Sequence, residues 1–153
     1  MLVFTIDSPP IAQPRQRQRV IKVNGKHTAT NYLPASHPVN GFKAIARAAC
    51  RQAYDGAPLT GPVSVGFEFV FARPKAITYK TKPMLSRPHY GKPDCDNLMK
   101  SVLDALNGVL WADDAQVCEW FGFKRIGDGY EKPRVILTVR EIPPRTASAH
   151  EGG

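Results

Sequence analysis

Asp94, Asp96, Lys100, Asp113 and Asp114 stand close together in a chain of 153 residues whose net charge is +8. Residues 92–100 read Lys-Pro-Asp-Cys-Asp-Asn-Leu-Met-Lys, and residues 111–117 read Trp-Ala-Asp-Asp-Ala-Gln-Val. Carboxylates gathered where the rest of the chain is cationic suit a divalent metal held against a polyanion. Asp94, Asp96 and Asp114 converging on one point would repel one another by roughly 4 kcal/mol per pair at 4 Å and an effective dielectric of 20. A raised pKa, a neighbouring cation or a bound metal must offset that repulsion. Hard oxygen donors select Mg2+ or Mn2+ over zinc, and Cys95 between the two aspartates is expected to point away. The chemistry such a site supports is metal-assisted phosphodiester hydrolysis. A metal orients and activates water, while metal and Lys100 neutralise charge developing on the scissile phosphate.

Each of these residues also has an ordinary structural use. Asp94 or Asp96 can cap a helix, a contribution of roughly 0.5–2 kcal/mol. Asp113 and Asp114 can form a solvated turn, and Lys100 can pair with Asp96 or Asp104 on a helix surface. Asp104 is taken as structural, because one i,i+4 ion pair explains it. Only the joint pattern favours a metal site.

The elements that must position these residues are legible from periodicity. Leu98, Val102, Ala105, Leu106 and Val109 predict the buried stripe of a helix over 96–107, stopped by Asn107-Gly108. Asp96, Lys100 and Asp104, four residues apart, share its polar side. Asp94 precedes that helix, and the return of 109–111 to the core brings Asp114 back beside it. An earlier helix is expected over 36–54, with Phe42, Ile45, Ala46, Ala49 and Ala53 inward and Lys43, Arg47 and Arg51 on a solvated face. Residues 2–7, 63–71, 116–125 and 134–140 alternate as strands, and Gly127-Asp128-Gly129 turns between the last two. Asn24-Gly25 predicts a tight hairpin between 20–23 and 26–30. Residues 13–19 and 73–90 read as basic loops. The expected fold is α+β, a single domain over residues 1–142 with a mixed sheet of about five or six strands and two main helices. Residues 143–153 read as a disordered tail.

Charge and cysteine usage narrow the partners. No acidic residue falls between Asp7 and Asp55 or between Glu68 and Asp94, while the carboxylates cluster from Asp94 to Glu131. That segregation points to DNA bound through its backbone, with Arg15, Arg17, Arg19, Lys80, Lys82, Arg87 and Lys92 as candidate contacts. Three cysteines without CxxC spacing argue against a disulfide framework and against zinc, and for reduced thiols in the cytoplasm. No run is long and apolar enough for a membrane span, and residues 1–7 read as a first strand rather than a signal peptide. No nucleotide cofactor is expected.

At Lys92-Pro93-Asp94-x-Asp96-Asn97-Leu98-x-Lys100, then Leu103 to Trp111, then Asp113-Asp114-x-Gln116-Val117, the chain resembles the RusA family of Holliday junction resolvases. These are small endodeoxyribonucleases of bacteria and their prophages. The resemblance implies a homodimer that resolves four-way junctions by paired symmetric nicks in Mg2+ or Mn2+, in DNA recombination and repair. It implies that Asp94, Asp96 and Asp114 are the essential metal-binding carboxylates, Lys100 an essential basic residue near the scissile phosphate and Asp113 an accessory carboxylate. Two alternatives stay open: a nuclease for forks and flaps, and a non-catalytic basic DNA-binding module.

Overall fold

The structure, a computed structural model, describes residues 1–15 and 17–145. Strand β1 spans Leu2–Ile6, and β2 (Arg17–Val23) and β3 (Lys26–Tyr32) form a separate two-stranded antiparallel hairpin. Helix α1 covers Pro38–Ala53 and leads to β4 (Val63–Phe71) and the two-residue β5 (Arg87–Pro88). Helix α2 covers Cys95–Leu106, followed by β6 (Val117–Ile126) and β7 (Arg134–Glu141). The main sheet has five strands in the order β1-β7-β4-β6-β5. Its β4–β6 pair is parallel and the others antiparallel, so the α+β class and the mixed sheet are as expected.

Both helices lie on one face of that sheet. Phe42, Ala46 and Cys50 of α1 and Leu98, Met99, Val102, Ala105 and Leu106 of α2 join a core with Val63, Val65, Phe67 and Phe69 of β4. Val135, Leu137 and Val139 of β7 and Phe4 and Ile6 of β1 complete it. The opposite face carries Phe121 and Phe123 of β6, both about half exposed. The parallel β4–β6 pair requires a crossover, and α2 supplies it. That crossover is what sets the aspartates of 94–96 beside the sheet.

Local chemistry explains the boundaries. Asn24 and Gly25 take φ of 49° and 79°, the left-handed values a two-residue hairpin turn demands. His37 caps α1 by accepting from the Val39 N–H at 3.0 Å, and Pro38 opens the helix. Gly108, at φ 79°, ends the run after α2.

Three expectations need correction. Strand β2 begins at Arg17, earlier than the loop predicted to run to residue 19. Basic loop 73–90 is tied down: it contains a 3-10 turn (Lys75–Ile77) and β5, and Arg73 donates to the carbonyls of Ile77, Leu85 and Gly127. The polar face assigned to α1 is only partly solvated. Lys43 is 7% exposed and pairs with Asp104, and Arg47 donates to the Ala105 carbonyl at 3.0 Å. Helix α1 packs on α2 there, and Ile45, expected inward, is 45% exposed instead. Residues 146–153 of the predicted tail lie outside the described residues, as does the side chain of Arg17.

Candidate active site

Asp94 occupies the N-cap position of α2, with φ −72° and ψ 146°, yet its side chain makes no capping hydrogen bond. Its own carbonyl accepts from the Leu98 N–H at 3.1 Å, so the backbone does the work of starting the helix. The exposed carboxylate is therefore not committed to the fold as a cap. Asp96 lies in the first turn, where the helix dipole favours a negative charge. Lys100 Nζ stands 3.9 Å from Asp96 Oδ2, with both side chains more than 60% exposed. A pair that open is worth little to stability. Asp104 pairs with Lys43 of α1 rather than with Lys100.

Asp113 and Asp114 have separate roles. Asp113 Oδ1 accepts from the Ala115 N–H at 2.9 Å, and Gln116 Oε1 accepts from the Asp113 N–H at 2.8 Å. This reciprocal capping box shapes the 3-10 turn Asp114–Gln116. Gln116 then donates to the carbonyls of Leu59 and Gly61, fastening the turn to the segment before β4. Asp114 Oδ1 accepts from Trp111 Nε1 at 2.7 Å. The indole itself is fully buried, so Asp114 satisfies a donor that would otherwise be stranded in the core. Burial pushes the Asp114 carboxyl above the ordinary carboxylate range, the Trp111 hydrogen bond opposes this, and the charges of Asp104 and Asp113 add to it.

Among the described residues, no group of three or more His, Cys, Asp or Glu side chains lies close enough together to hold a metal ion. The expected convergence of Asp94, Asp96 and Asp114 is thus not drawn tight. Asp114 is held by Trp111, while the side chains of Asp94 and Asp96 are exposed. The donor chemistry nevertheless fits a hard divalent cation. Asp94 is uncommitted to the cap, Asp96 has only a long contact with Lys100, and Asp114 has an environment that disfavours its own negative charge.

Of the candidate DNA contacts, Arg15, Arg19, Lys80, Lys82, Arg87 and Lys92 are all exposed. Arg15 precedes the hairpin and Arg19 lies on it, whereas Lys80, Lys82 and Arg87 lie on the loop beside β6. Lys82 Nζ sits 5.4 Å from the centre of the Tyr79 ring. Sequence reasoning missed Trp111, Gln116 and Lys124. A tryptophan three residues before an aspartate was a usable signal for the first. Nothing local marks Lys124, whose ammonium donates to the carbonyls of Gly91 and Pro93.

Comparison with known proteins places this arrangement. The family Endodeoxyribonuclease RusA matches residues 7–140. The chain belongs to the RusA endodeoxyribonuclease family. The RusA match includes α2, the 3-10 turn at Asp114 and strand β6. A protein of Bacillus subtilis strain 168, "Uncharacterized protein YqaN", is 32% identical over 146 residues, covering 91% of this chain and 95% of the relative.

Proposed function

We propose that this protein is a Mg2+-dependent endonuclease that resolves four-way DNA junctions by paired symmetric nicks, acting as a homodimer in DNA recombination and repair. The observation that carries the reading is Asp94, an N-cap aspartate whose carboxylate does no capping, within a family of endodeoxyribonucleases. Asp94, Asp96 and Asp114 would hold the ion, with Asp113 as an accessory and with Mn2+ able to substitute. The bound ion supplies Lewis acidity and an activated water. Lys100 faces the scissile phosphate and offsets its developing charge. Trp111 keeps Asp114 in place during the reaction. Arg15, Arg17, Arg19, Lys80, Lys82, Arg87 and Lys92 hold the junction arms through their phosphates, an attraction without base readout. A two-fold dimer suits the substrate, because symmetric incisions need two equivalent sites at fixed spacing.

The test uses a synthetic four-way junction with each strand labelled in turn. Wild-type protein should give matched nicks on opposing strands in Mg2+ and none in EDTA. Asp96→Asn should cut at least about 100-fold more slowly yet bind the junction as wild type does in EDTA. Full cleavage by Asp96→Asn overturns the assignment. Single nicks on a flap with the junction untouched would establish the fork and flap alternative, and no cutting of any branched substrate would establish a binding module.

A further inference from the structure

Lys124 lies inside β6, opposite Phe69 of the core in the parallel ladder. Two residues earlier Gly122 faces α2, where a Cβ would stand 3.6 Å from the Met99 methyl. Lys124 is thus on the sheet face that carries α2, and it is only partly exposed. A lysine in such a place needs its ammonium satisfied. Its hydrogen bonds go to two backbone carbonyls, Gly91 and Pro93 at 2.8 Å, rather than to a carboxylate. The Lys124 carbonyl also accepts from the His89 N–H at 3.1 Å. One residue therefore fastens the chain at His89, Gly91 and Pro93, immediately ahead of Asp94. Gly91, at φ 140°, lets the chain bend between those ties in a conformation other residues rarely adopt.

We infer that Lys124 is a positioning residue that holds the 89–93 segment against the sheet so that the Asp94 carboxylate is presented beside Asp96. This rests on the proposed metal site. Asp96 lies within the helix, whereas Asp94 is tied to it only through its carbonyl, which accepts from the Leu98 N–H, so the direction of its side chain also depends on how the incoming chain is held. Without the Lys124 ammonium, the Gly91 and Pro93 carbonyls lose their tie to β6, and the Asp94 side chain loses the support that orients it toward Asp96. Supports of this kind, one step removed from the ligands, typically change metal affinity by roughly 10-fold to 100-fold.

The experiment compares wild type, Lys124→Met and Lys124→Arg as intact protein. Mn2+ binding is measured by calorimetry without DNA, junction binding in EDTA, amide exchange over 89–93 by mass spectrometry, and thermal melting. The expected result is a Lys124→Met protein that melts near wild type and binds the junction normally in EDTA. Its amides over 89–93 exchange faster, and its Mn2+ affinity falls by roughly 10-fold to 100-fold, partly restored in Lys124→Arg. Unchanged Mn2+ affinity in Lys124→Met overturns the inference. So does loss of junction binding in EDTA, which makes Lys124 a phosphate contact, and so does failure to fold, which makes it a fold determinant. Wild-type protein that neither binds Mn2+ nor cuts junctions overturns the metal site as well, which separates the two failures.

Discussion

At the scale of single residues, Asp114 holds two demands in tension. It accepts from the side-chain donor of a buried tryptophan, and it keeps a carboxylate in a place where burial and the charges of Asp104 and Asp113 disfavour ionisation. Its folded pKa lies above the ordinary value, so the folded state holds the proton more tightly than the unfolded chain. The ionised form therefore lowers stability as pH rises through that interval, and the loss persists at neutral pH. Asp114→Asn keeps an acceptor for Trp111 and removes the charge. The variant should melt about 1–3 °C higher than wild type at pH 7, with the difference vanishing below the ordinary carboxylate pKa, while cleavage is abolished. Trp111→Phe has the opposite character. Loss of the hydrogen bond raises the Asp114 pKa further, so the acid limb of the pH–rate profile should move to higher pH, and the small gap left where phenyl replaces indole should cost about 1–2 kcal/mol.

At the scale of elements, the two helices are joined by a polar seam inside an otherwise apolar contact. Lys43 of α1 is buried and depends on Asp104 of α2, whose side chain remains 59% exposed. Removing one partner of a fully buried pair costs about 3–5 kcal/mol, and the open end of this one reduces that. Asp104→Ala should therefore destabilise the protein by about 1–2 kcal/mol in urea unfolding, and Lys43→Met should be close to neutral. The stripe of α2 was legible because Leu98, Val102, Ala105 and Leu106 recur at helical spacing, and all are buried. The polar row of α1 misled for a physical reason. Lys43, Arg47 and Arg51 at i, i+4 and i+8 give one pattern whether they face water or the carboxylate and carbonyls of another helix.

At the scale of the whole molecule, charge both binds the fold together and prepares it for a polyanion. Arg125 joins Glu68 of β4, Glu131 of the turn before β7 and Ser86 of the basic loop, and Arg134 adds a second contact to Glu131. The Arg125 hydrogen bonds pull the Glu131 carboxyl from 4.5 down to about 2. A lowered carboxylate pKa stabilises the fold above the unfolded value, and that stability disappears as pH falls from 4.5 toward about 2. Glu131→Gln should cost about 2 kcal/mol at neutral pH, discounted for partial exposure, and should flatten the fall in melting temperature over that acid window. The exposed cations have a different signature. The logarithm of the junction-binding constant should fall linearly with the logarithm of salt concentration. Replacing Lys80, Lys82 and Arg87 by alanine should reduce the slope by about 0.9 for each lost phosphate contact.

What the sequence determined by itself was local: the hairpin at Asn24-Gly25, the stripe of α2, the run of β4 and the spacing of the aspartates. Each depends on neighbours a few residues away along the chain, through backbone preference and periodicity. Family membership was legible for the same reason, since its motif is contiguous around α2. The tertiary structure alone decided that the Asp94 side chain is spare, that Asp104 belongs to Lys43 and that Lys124 holds the approach to Asp94. The last two contacts join residues 61 and 31 positions apart, across a helix pair and across the crossover between strands. No local spacing encodes such partners, because they meet only once the hydrophobic faces of α1, α2 and the sheet have packed together.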